Sequence, residues 1–494
     1  MKGTGNMRTI TQLIHSYCSS NGSFITLDLL KRKWINENHL PEASFREELT
    51  SLKNSGEIVL EESRVYLRRV WLQEEFAASR LGALLSAPPP STLSLPAVLH
   101  VGDLTLTAEQ RAAVQACLDS RLSLLLGPAG SGKTTVAQAI VKYAGTENCL
   151  LCSPTGKAAK NLADHTGLPA ATIHRALGAR SDNDFLDVAC MDNIDLILID
   201  EGSMLTLEMH AGILRAASPD CRIIIMGDCN QLPAVGAGNV INDLNALGFP
   251  VAHLTQNHRQ SRSLNALRNN VVYFDAIKNS RRLGEDDSFR IFSSENPNEL
   301  LDSLVQEAAD RCRSGDSVQV ITFRRDDVLE LNRRIQQRVN PITPRKRTLT
   351  ANHYVFADGD RVVITRNDNS RGCCNGESGI IRIGDFGAYS VELDDGRCFD
   401  WSEYDVPDNI LPGYAITVHR SQGSEYDTVL MYVPRSSPCL LHRNALYTGI
   451  SRARKQLLLY GDPNAIEFGL HNLPASRSSS LAEKVLMYSM RSAG

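Results

Sequence analysis

No run of this chain is apolar for long enough to cross a bilayer. The longest, such as Leu122–Leu126, fall far short of the roughly 20 residues that a spanning helix needs. The first residues, Met1 to Arg8, lack the apolar core of a secretion signal, so a cytoplasmic location with no membrane contact is expected. An excess of positive charge is also missing: 52 Lys and Arg stand against 56 Asp and Glu, a net charge of −4. That excludes tight, diffuse binding of a polyanion over the whole surface. Any nucleic-acid contact has to be local, in a groove. The twelve cysteines are scattered. Cys149 and Cys152 form a CxxC, but there is no second pair to complete a zinc site. Cys149 borders an apolar strand, so buried, reduced thiols are expected there and at the adjacent Cys373 and Cys374. No acid cluster suggests a nuclease, and no internal repeat is visible.

The composition that remains is that of a globular protein, 42% apolar and 22% charged. The length of 494 residues favours several domains. Residues 1–95 read as an N-terminal domain and linker. Ile10, Leu13, Ile14 and Tyr17 share one helical face; Leu27, Leu30 and Trp34 share another, with Thr26 as its cap. Ser44 and Glu47 have the spacing of a capping box, opening a third helix that carries Phe45, Leu49 and Leu52 and ends at Gly56. Short strands are expected over 57–61 and 64–69. Three helices and a hairpin suggest a winged-helix-like arrangement. Such modules often read DNA through the third helix. Here Arg46 and Lys53 are offset by Glu47 and Glu48, so the basic bias is missing, and a structural or protein-partner role for residues 8–95 fits equally. A helix over 70–85 then leads to the Pro/Ser-rich stretch 86–96, read as a linker.

From Leu104 short apolar strands alternate with helices, at 122–126, 149–152, 196–199 and 222–226. This is an α/β pattern with a parallel sheet and defines a domain over 96–253. A second α/β domain spans 254–344 and 412–494, with strands near 318–322, 428–433 and 456–460. Between its halves, residues 345–411 hold short strands at 361–365, 380–383, 389–393 and 397–401. The last two flank the turn Asp394-Asp395-Gly396. This segment reads as a small inserted β-barrel.

The segment Gly127-Pro-Ala-Gly130-Ser131-Gly132-Lys133-Thr134 matches the phosphate-binding loop G-x-x-x-x-G-K-[ST], between an apolar strand and a helix as the motif requires. Its main-chain N–H groups can wrap phosphates, and the helix N-terminus adds a positive dipole end. Lys133 would reach the β- and γ-phosphates of ATP, and Thr134, followed by Thr135, would ligate Mg²⁺. The apolar strand 196–199 runs into Asp200 and Glu201, which suit the metal and the attacking water respectively. Gln110, upstream of the loop, can pair with adenine through both donor and acceptor.

At this point the sequence resembles the RecD-like helicases of superfamily 1, class B. An ordered series of motifs over about residues 100–465 carries the resemblance. After the loop come Ser153-Pro-Thr-Gly-Lys-Ala-Ala-Lys160, Thr172-Ile-His-Arg175, Asp200-Glu-Gly-Ser203 and Gly227-Asp-Cys-Asn-Gln231-Leu-Pro. Asn257-His-Arg259-Gln260, Ala415-Ile-Thr-Val-His419-Arg-Ser-Gln-Gly423-Ser-Glu425 and Leu446-Tyr-Thr-Gly-Ile-Ser-Arg452-Ala-Arg454 follow. The resemblance implies an α/β fold of two RecA-like P-loop NTPase domains, with a winged-helix-like region in front and an SH3-like barrel inserted in the second. It implies that Gln231 senses the γ-phosphate. It also implies that Arg259 and Arg452 reach across from the second domain to stabilise charge on it. Gly423 and Glu425 would approach the ribose; Arg454 is read as structural. Gly202, Arg420 and Gly449-Ile450-Ser451 depart from the family's usual residues without removing a group that the chemistry needs.

Pro154, Thr155, Gly156, Thr172 and His174 in the first domain, and Thr417, His419 and Ser421 in the second, would line a single-strand track. Residues 178–194, with Phe185 the only aromatic, stand where such enzymes carry a strand-separating pin; they read either as that pin or as a plain surface loop. The function expected is an ATP- and Mg²⁺-dependent helicase or translocase acting on single-stranded DNA and single-strand/duplex junctions, in repair or recombination. A 5′-to-3′ direction comes from the resemblance alone. Two alternatives stand beside it: an ATP-gated DNA-binding module that recruits partners without processive unwinding, and an RNA helicase of the same superfamily.

Overall fold

Five consecutive buried residues, Leu122–Leu126, leave their strand no face for water, so it belongs inside a sheet covered on both sides. The computed structural model describes residues 8–90, 92–256, 288–294, 296–351, 353–368, 371–384, 388–401, 409–434, 440–474 and 476–492. It places this strand in a six-stranded parallel sheet, in the order Val251–His253, Leu122–Leu126, Arg222–Gly227, Leu196–Ile199, Cys149–Ser153, Ala170–Thr172. Alternate residues point to opposite faces. Leu125, Leu198 and Ile224 pack under the helices Ala108–Leu118 and Lys133–Tyr143. Leu124, Ile197 and Ile223 pack under Leu207–Ala216 and Arg68–Ser86. The helix expected to end the N-terminal domain therefore covers one face of this first lobe. The stretch read as a linker also lies along the lobe: Leu93 and Leu95 pack on its core, and Arg111 Nε donates to the Pro96 carbonyl at 3.0 Å.

The second lobe is a five-stranded parallel sheet in the order Phe289–Phe292, Ala453–Gly461, Tyr426–Val433, Val318–Thr322, Ala415–Thr417. The helices Pro297–Ser314 and Arg325–Val339 cover one face, Arg443–Ile450 and Pro463–His471 the other. Between Val318–Thr322 and Ala415–Thr417 the chain makes an antiparallel sheet of Arg361–Ile364, Ser378–Ile383, Tyr389–Leu393, Cys398–Trp401 and Ile410–Pro412. A hairpin, Thr348–Ala351 and Tyr354–Ala357, precedes it. Phe356, Ile381 and Val391 fill this sheet's core, and Tyr389 stacks on Trp401 at 5.3 Å.

The N-terminal module holds the helices Ile10–Asn21, Leu27–Asn38 and Glu42–Ser55. Its sheet has three antiparallel strands rather than a hairpin, because Ile25–Thr26 pairs with Arg64–Leu67 beside Ile58–Glu61. Thr26 occupies the cap position of the second helix without a side-chain bond. The capping box at Ser44 and Glu47 does not form: the third helix starts earlier, at Glu42 behind Pro41. The acid that matters is Glu48, whose carboxylate accepts from Ile10 N at 2.7 Å and Trp34 Nε1 at 2.9 Å, tying the three helices together. Gly56 ends the helix in a left-handed conformation, φ +76°.

Two further expectations change. The pin region lies flat on the first lobe, with Phe185 fully buried against Gly212 and its ring 4.8 Å from His174. Its one aromatic therefore belongs to the core and offers no wedge. The chain beyond 412 does not all stay with the second lobe either. The helix Leu481–Ser492 returns to pack on Arg68–Ser86. Gly82 makes that crossing possible: a Cβ there would sit 2.8 Å from the Cβ of Tyr488. The buried Lys484 ammonium lies 2.7 Å from Glu75, 3.2 Å from Glu61 and 3.5 Å from Glu74. Nearby the Tyr66 hydroxyl meets that of Ser480 at 2.8 Å.

Among the described residues no helix is long and apolar enough to cross a membrane. Every described cysteine is free, with Cys152 and Cys373 buried and Cys149 and Cys374 half-buried.

Lys484→Met would leave three carboxylates facing one another without their cation. A loss of roughly 3 kcal/mol is expected, since an uncompensated buried charge is costly while two of the acids keep some water. Urea unfolding of parent and variant measures it, and equal midpoints would contradict this account of the docking.

Candidate nucleotide and nucleic-acid sites

The loop after Leu126 takes its shape from its glycines. Gly130 and Gly132 have φ of +82° and +86°, a region that glycine enters without steric cost. Gly127 is required by close approach: a Cβ would lie 2.6 Å from Ser131 Oγ and 2.8 Å from the Leu254 carbonyl. Ser131 is buried behind the loop. Lys133 opens the following helix and folds back, its ammonium donating to the carbonyls of Gly127 at 2.7 Å and Pro128 at 3.0 Å.

A cavity of about 360 Å³ opens above this loop and is lined from both lobes. Gln110, Gly130, Gly132, Lys133, Thr134, Thr135, Asp200, Glu201 and Gln231 come from the first, and Gly423, Glu425, Arg452 and Arg454 from the second. Burial raises the Asp200 carboxyl above its ordinary range. Glu201, at φ +53°, is pushed up to about 7 by burial and by the negative charge of Asp200, against the pull of Arg452 and Lys133. Two desolvated carboxyls beside the Thr134 hydroxyl are a hard-oxygen donor set that fits a divalent cation such as Mg²⁺.

Arg452 is buried and held wholly by second-lobe oxygens: Thr448 O at 3.0 Å, Ser424 O at 3.1 Å and Ser451 Oγ at 3.0 Å. Arg259 lies outside the described residues. Gln231 is buried, and among the described residues its amide oxygen has no hydrogen-bond partner. The second lobe grips the backbone around it. Asn444 Nδ2 donates to the Gln231 carbonyl at 3.1 Å, Leu232 N to Thr448 Oγ1 at 2.8 Å, and Gln422 Nε2 to the Leu232 carbonyl at 2.9 Å. The Tyr447 hydroxyl donates to Asp228 Oδ2 at 2.7 Å. Asp228 also lines the cavity. Sequence reasoning passed over it, although it closely follows the apolar run Ile223–Met226, much as Asp200 follows Leu196–Ile199.

Gln110 departs from expectation. Its amide oxygen already accepts from Thr107 N at 3.1 Å in a capping box, so it is engaged as a cap while lining the cavity. Arg454, read as structural, also reaches the cavity, where it pairs with Glu425 at 3.0 Å.

A second cavity, of about 590 Å³, lies where the lobes meet the inserted segment. Lys157, Arg325, His419 and Arg420 line it, with Thr155, Thr417, Tyr354 and Asn375, and among the described residues no carboxylate lines it. Burial lowers the pKa of Lys157, and burial with the nearby Arg325 lowers those of His419 and Arg420. A cluster of partly desolvated cations is suited to an anionic chain, although Asp394 and Glu377 offset part of the charge of Lys157.

Of the expected track, Thr155, Thr417 and His419 reach this cleft and the rest do not. Gly156 packs on Cys374 of the inserted segment, where a Cβ would meet Cys374 Cβ at 2.5 Å. Thr172 caps a short helix through Arg175 N at 3.3 Å. His174 pairs with Asp182 at 3.1 Å. The Ser421 hydroxyl is buried on the Val418 carbonyl at 2.7 Å. Pro154 is not among the cleft's lining residues. Lys157 and Arg420 stood inside recognised motifs without being chosen; Arg325 carried no sequence signal.

Comparison with known proteins adds an independent line. Residues 105–282 match the AAA domain model and residues 412–460 the UvrD-like helicase C-terminal domain model. The chain is 30% identical over 450 residues to the ATP-dependent RecD2 DNA helicase of Deinococcus radiodurans, covering 86% of this chain but only 59% of that relative's length. It is 30% identical over 452 residues to the RecBCD enzyme subunit RecD of Mycolicibacterium smegmatis, covering 80% of this chain and 78% of that one. The crystal structure of Bacteroides Pif1 bound to single-stranded DNA shares the fold, with a TM-score of 0.51 at 20% identity, covering 74% of this chain and 94% of that one.

Gly127→Ala should displace the phosphate loop, because its Cβ meets a main-chain oxygen. About a tenfold loss of affinity for a fluorescent ATP analogue is expected, from roughly 1–3 kcal/mol of overpacking, with the far-ultraviolet circular dichroism unchanged. Parent-like affinity would contradict the reading of this cavity.

Proposed function

The chain belongs to the RecD family of helicases, and on that footing we propose that it is an ATP-driven motor which moves along single-stranded DNA and separates duplex strands at junctions. The observation that carries this reading is the composition of the smaller cavity: phosphate loop and acids from one lobe, a buried arginine from the other. A site completed only when the lobes meet can couple hydrolysis to their relative motion.

In this reading Lys133 exchanges its two main-chain carbonyls for phosphate oxygens. Thr134 and Asp200 hold Mg²⁺, which when bound supplies positive charge to the phosphate oxygens. Glu201 takes the proton of the attacking water. The guanidinium of Arg452, and that of Arg259, stabilise charge on the transferred phosphoryl group. Gln231 offers its free amide oxygen at the cavity wall. Because Leu232 and Gln231 are bonded to the helix Arg443–Ile450, a shift at the phosphate moves the second lobe. The cleft of Lys157, Arg325, His419 and Arg420 then holds the strand, with Thr155 and Thr417 on phosphates.

The family supports a 5′-to-3′ direction and a role in repair or recombination. The N-terminal helices and three-stranded sheet support a winged-helix reading, and the inserted antiparallel sheet an SH3-like barrel. Arg46 of the third N-terminal helix is paired with Glu42 at 2.7 Å, which favours a protein partner over DNA for that helix.

Strand displacement on duplexes with a 5′ or a 3′ single-stranded tail tests the motor directly. Unwinding of the 5′-tailed substrate is expected, and none with Lys133→Ala; equal inactivity of the parent on both substrates would end the proposal. The pH dependence tests Glu201. A base must be ionised to act, so with its pKa at about 7 kcat/KM should rise with pH through about 7 and level off above it. Glu201→Gln should abolish that limb and lower kcat by roughly 10²–10⁴-fold. A parent profile flat between about pH 6 and about pH 8 would remove Glu201 from this role. His419→Ala should weaken hydrolysis stimulated by single strands more than unstimulated hydrolysis; equal losses would argue against the cleft as the track.

A further inference from the structure

After the helix Pro463–His471 of the second lobe, the chain returns to the first. Asn472 is fixed to the second lobe: its side-chain nitrogen donates to the Leu441 carbonyl at 2.9 Å, and its carbonyl accepts from Arg443 N at 2.9 Å. Arg477 is fixed to the first lobe. Its Nη1 donates to the carbonyls of Gly236 at 3.1 Å and Gly238 at 3.0 Å, and its Nη2 to that of Ala234. Just beyond it, Ser478 exchanges main-chain bonds with Asn21 and Ser23, both at 2.7 Å. The Ser479 hydroxyl donates to Asp243 Oδ2 at 2.7 Å. Five Cα-to-Cα steps separate Asn472 from Arg477, so these anchors can never be more than about 18 Å apart.

The carbonyls that Arg477 gathers lie in the segment that begins with Asp228 and Gln231. A guanidinium on three main-chain carbonyls balances its charge with dipoles alone, and burial accordingly lowers its pKa. The start of the same segment is bonded to the second lobe through Leu232 and Thr448. Gln231 thus sits in a stretch of backbone held at one end by the second lobe and at the other by a side chain tethered to it.

We propose that Arg477 is a positioning residue for Gln231, and that the connection from Asn472 to Arg477 is a strap that passes separation of the lobes to the segment carrying Gln231. The proposal rests on the motor reading above. Closing the cleft slackens the strap and lets the segment settle with Gln231 at the cavity wall. Opening the cleft to the limit of the strap draws Ala234, Gly236 and Gly238 after Arg477 and carries Gln231 back.

Hydrogen exchange and turnover together test this. In Arg477→Met, amides over 231–239 should exchange roughly ten times faster, while the strand Arg222–Gly227 exchanges as in the parent. Turnover stimulated by single-stranded DNA should fall about tenfold with the KM for ATP within about twofold, and parent-like exchange of Arg222–Gly227 sets this loss apart from general misfolding. Arg477→Lys keeps a cation with three donors and should recover most of both. Inserting Gly-Ser-Gly-Ser between Leu473 and Pro474 leaves the arginine seated. It should keep parent-like exchange over 231–239 yet lose stimulated turnover. Unchanged exchange in Arg477→Met, or parent-like stimulated turnover in Arg477→Met or in the chain with the insertion, would overturn the strap. If single strands fail to stimulate the parent, the motor reading falls, and the exchange comparison alone decides the role of Arg477.

Discussion

Two carboxyls taken out of water organise the centre of this molecule. Asp200 and Glu201 stand at the end of a strand whose every residue is buried, and their negative charge has little solvent to spread into. Whatever neutralises them has to come from the surroundings: Lys133 from the loop beside them, Arg452 from the other lobe, and a divalent cation for which their oxygens are suited. Desolvation makes each of these interactions stronger than it would be at a surface. Arg452 is the second lobe's contribution to that balance, so the cavity draws on both lobes.

The contact between the lobes is correspondingly specific. It seats Leu232 in the second lobe's apolar core and adds single hydrogen bonds from the side chains of Thr448, Asn444, Gln422 and Tyr447 to the backbone and carboxylate of one segment, 228–232. Bonds of this kind have one good geometry and are exchanged for another as a unit, which suits a two-position device better than a broad apolar interface would. The larger cleft has a different character. Its cations are gathered from three parts of the chain, and a net charge of −4 conceals them.

Most of the sheet architecture was legible because buried parallel strands are near-continuous apolar runs. Leu122–Leu126, Leu196–Ile199 and Val318–Thr322 could hardly be anything else. The nucleotide cavity was legible because its residues fall in contiguous motifs. What escaped was whatever depends on long-range approach. Ile25–Thr26 is too short to show a period. Phe185 reads as a wedge until Gly212 opens a place for it. Ser44 and Glu47 have cap spacing, but Pro41 and Glu42 start the helix first. Thr172, His174 and Ser421 sit in motif positions, yet local partners occupy their polar groups. Arg325 matters only because folding brings it beside His419 and Arg420.

The first lobe is built from distant parts of the sequence: Arg68–Ser86 and Leu481–Ser492 lie on the same face of its sheet, with Leu481 and Val485 in one core with Leu124 and Ile197. During synthesis that face stays incomplete while the second lobe is being made. This lobe therefore reaches its final packing only after residues 481–485 have been made, so a product that terminates before them lacks part of the core on that face of its sheet.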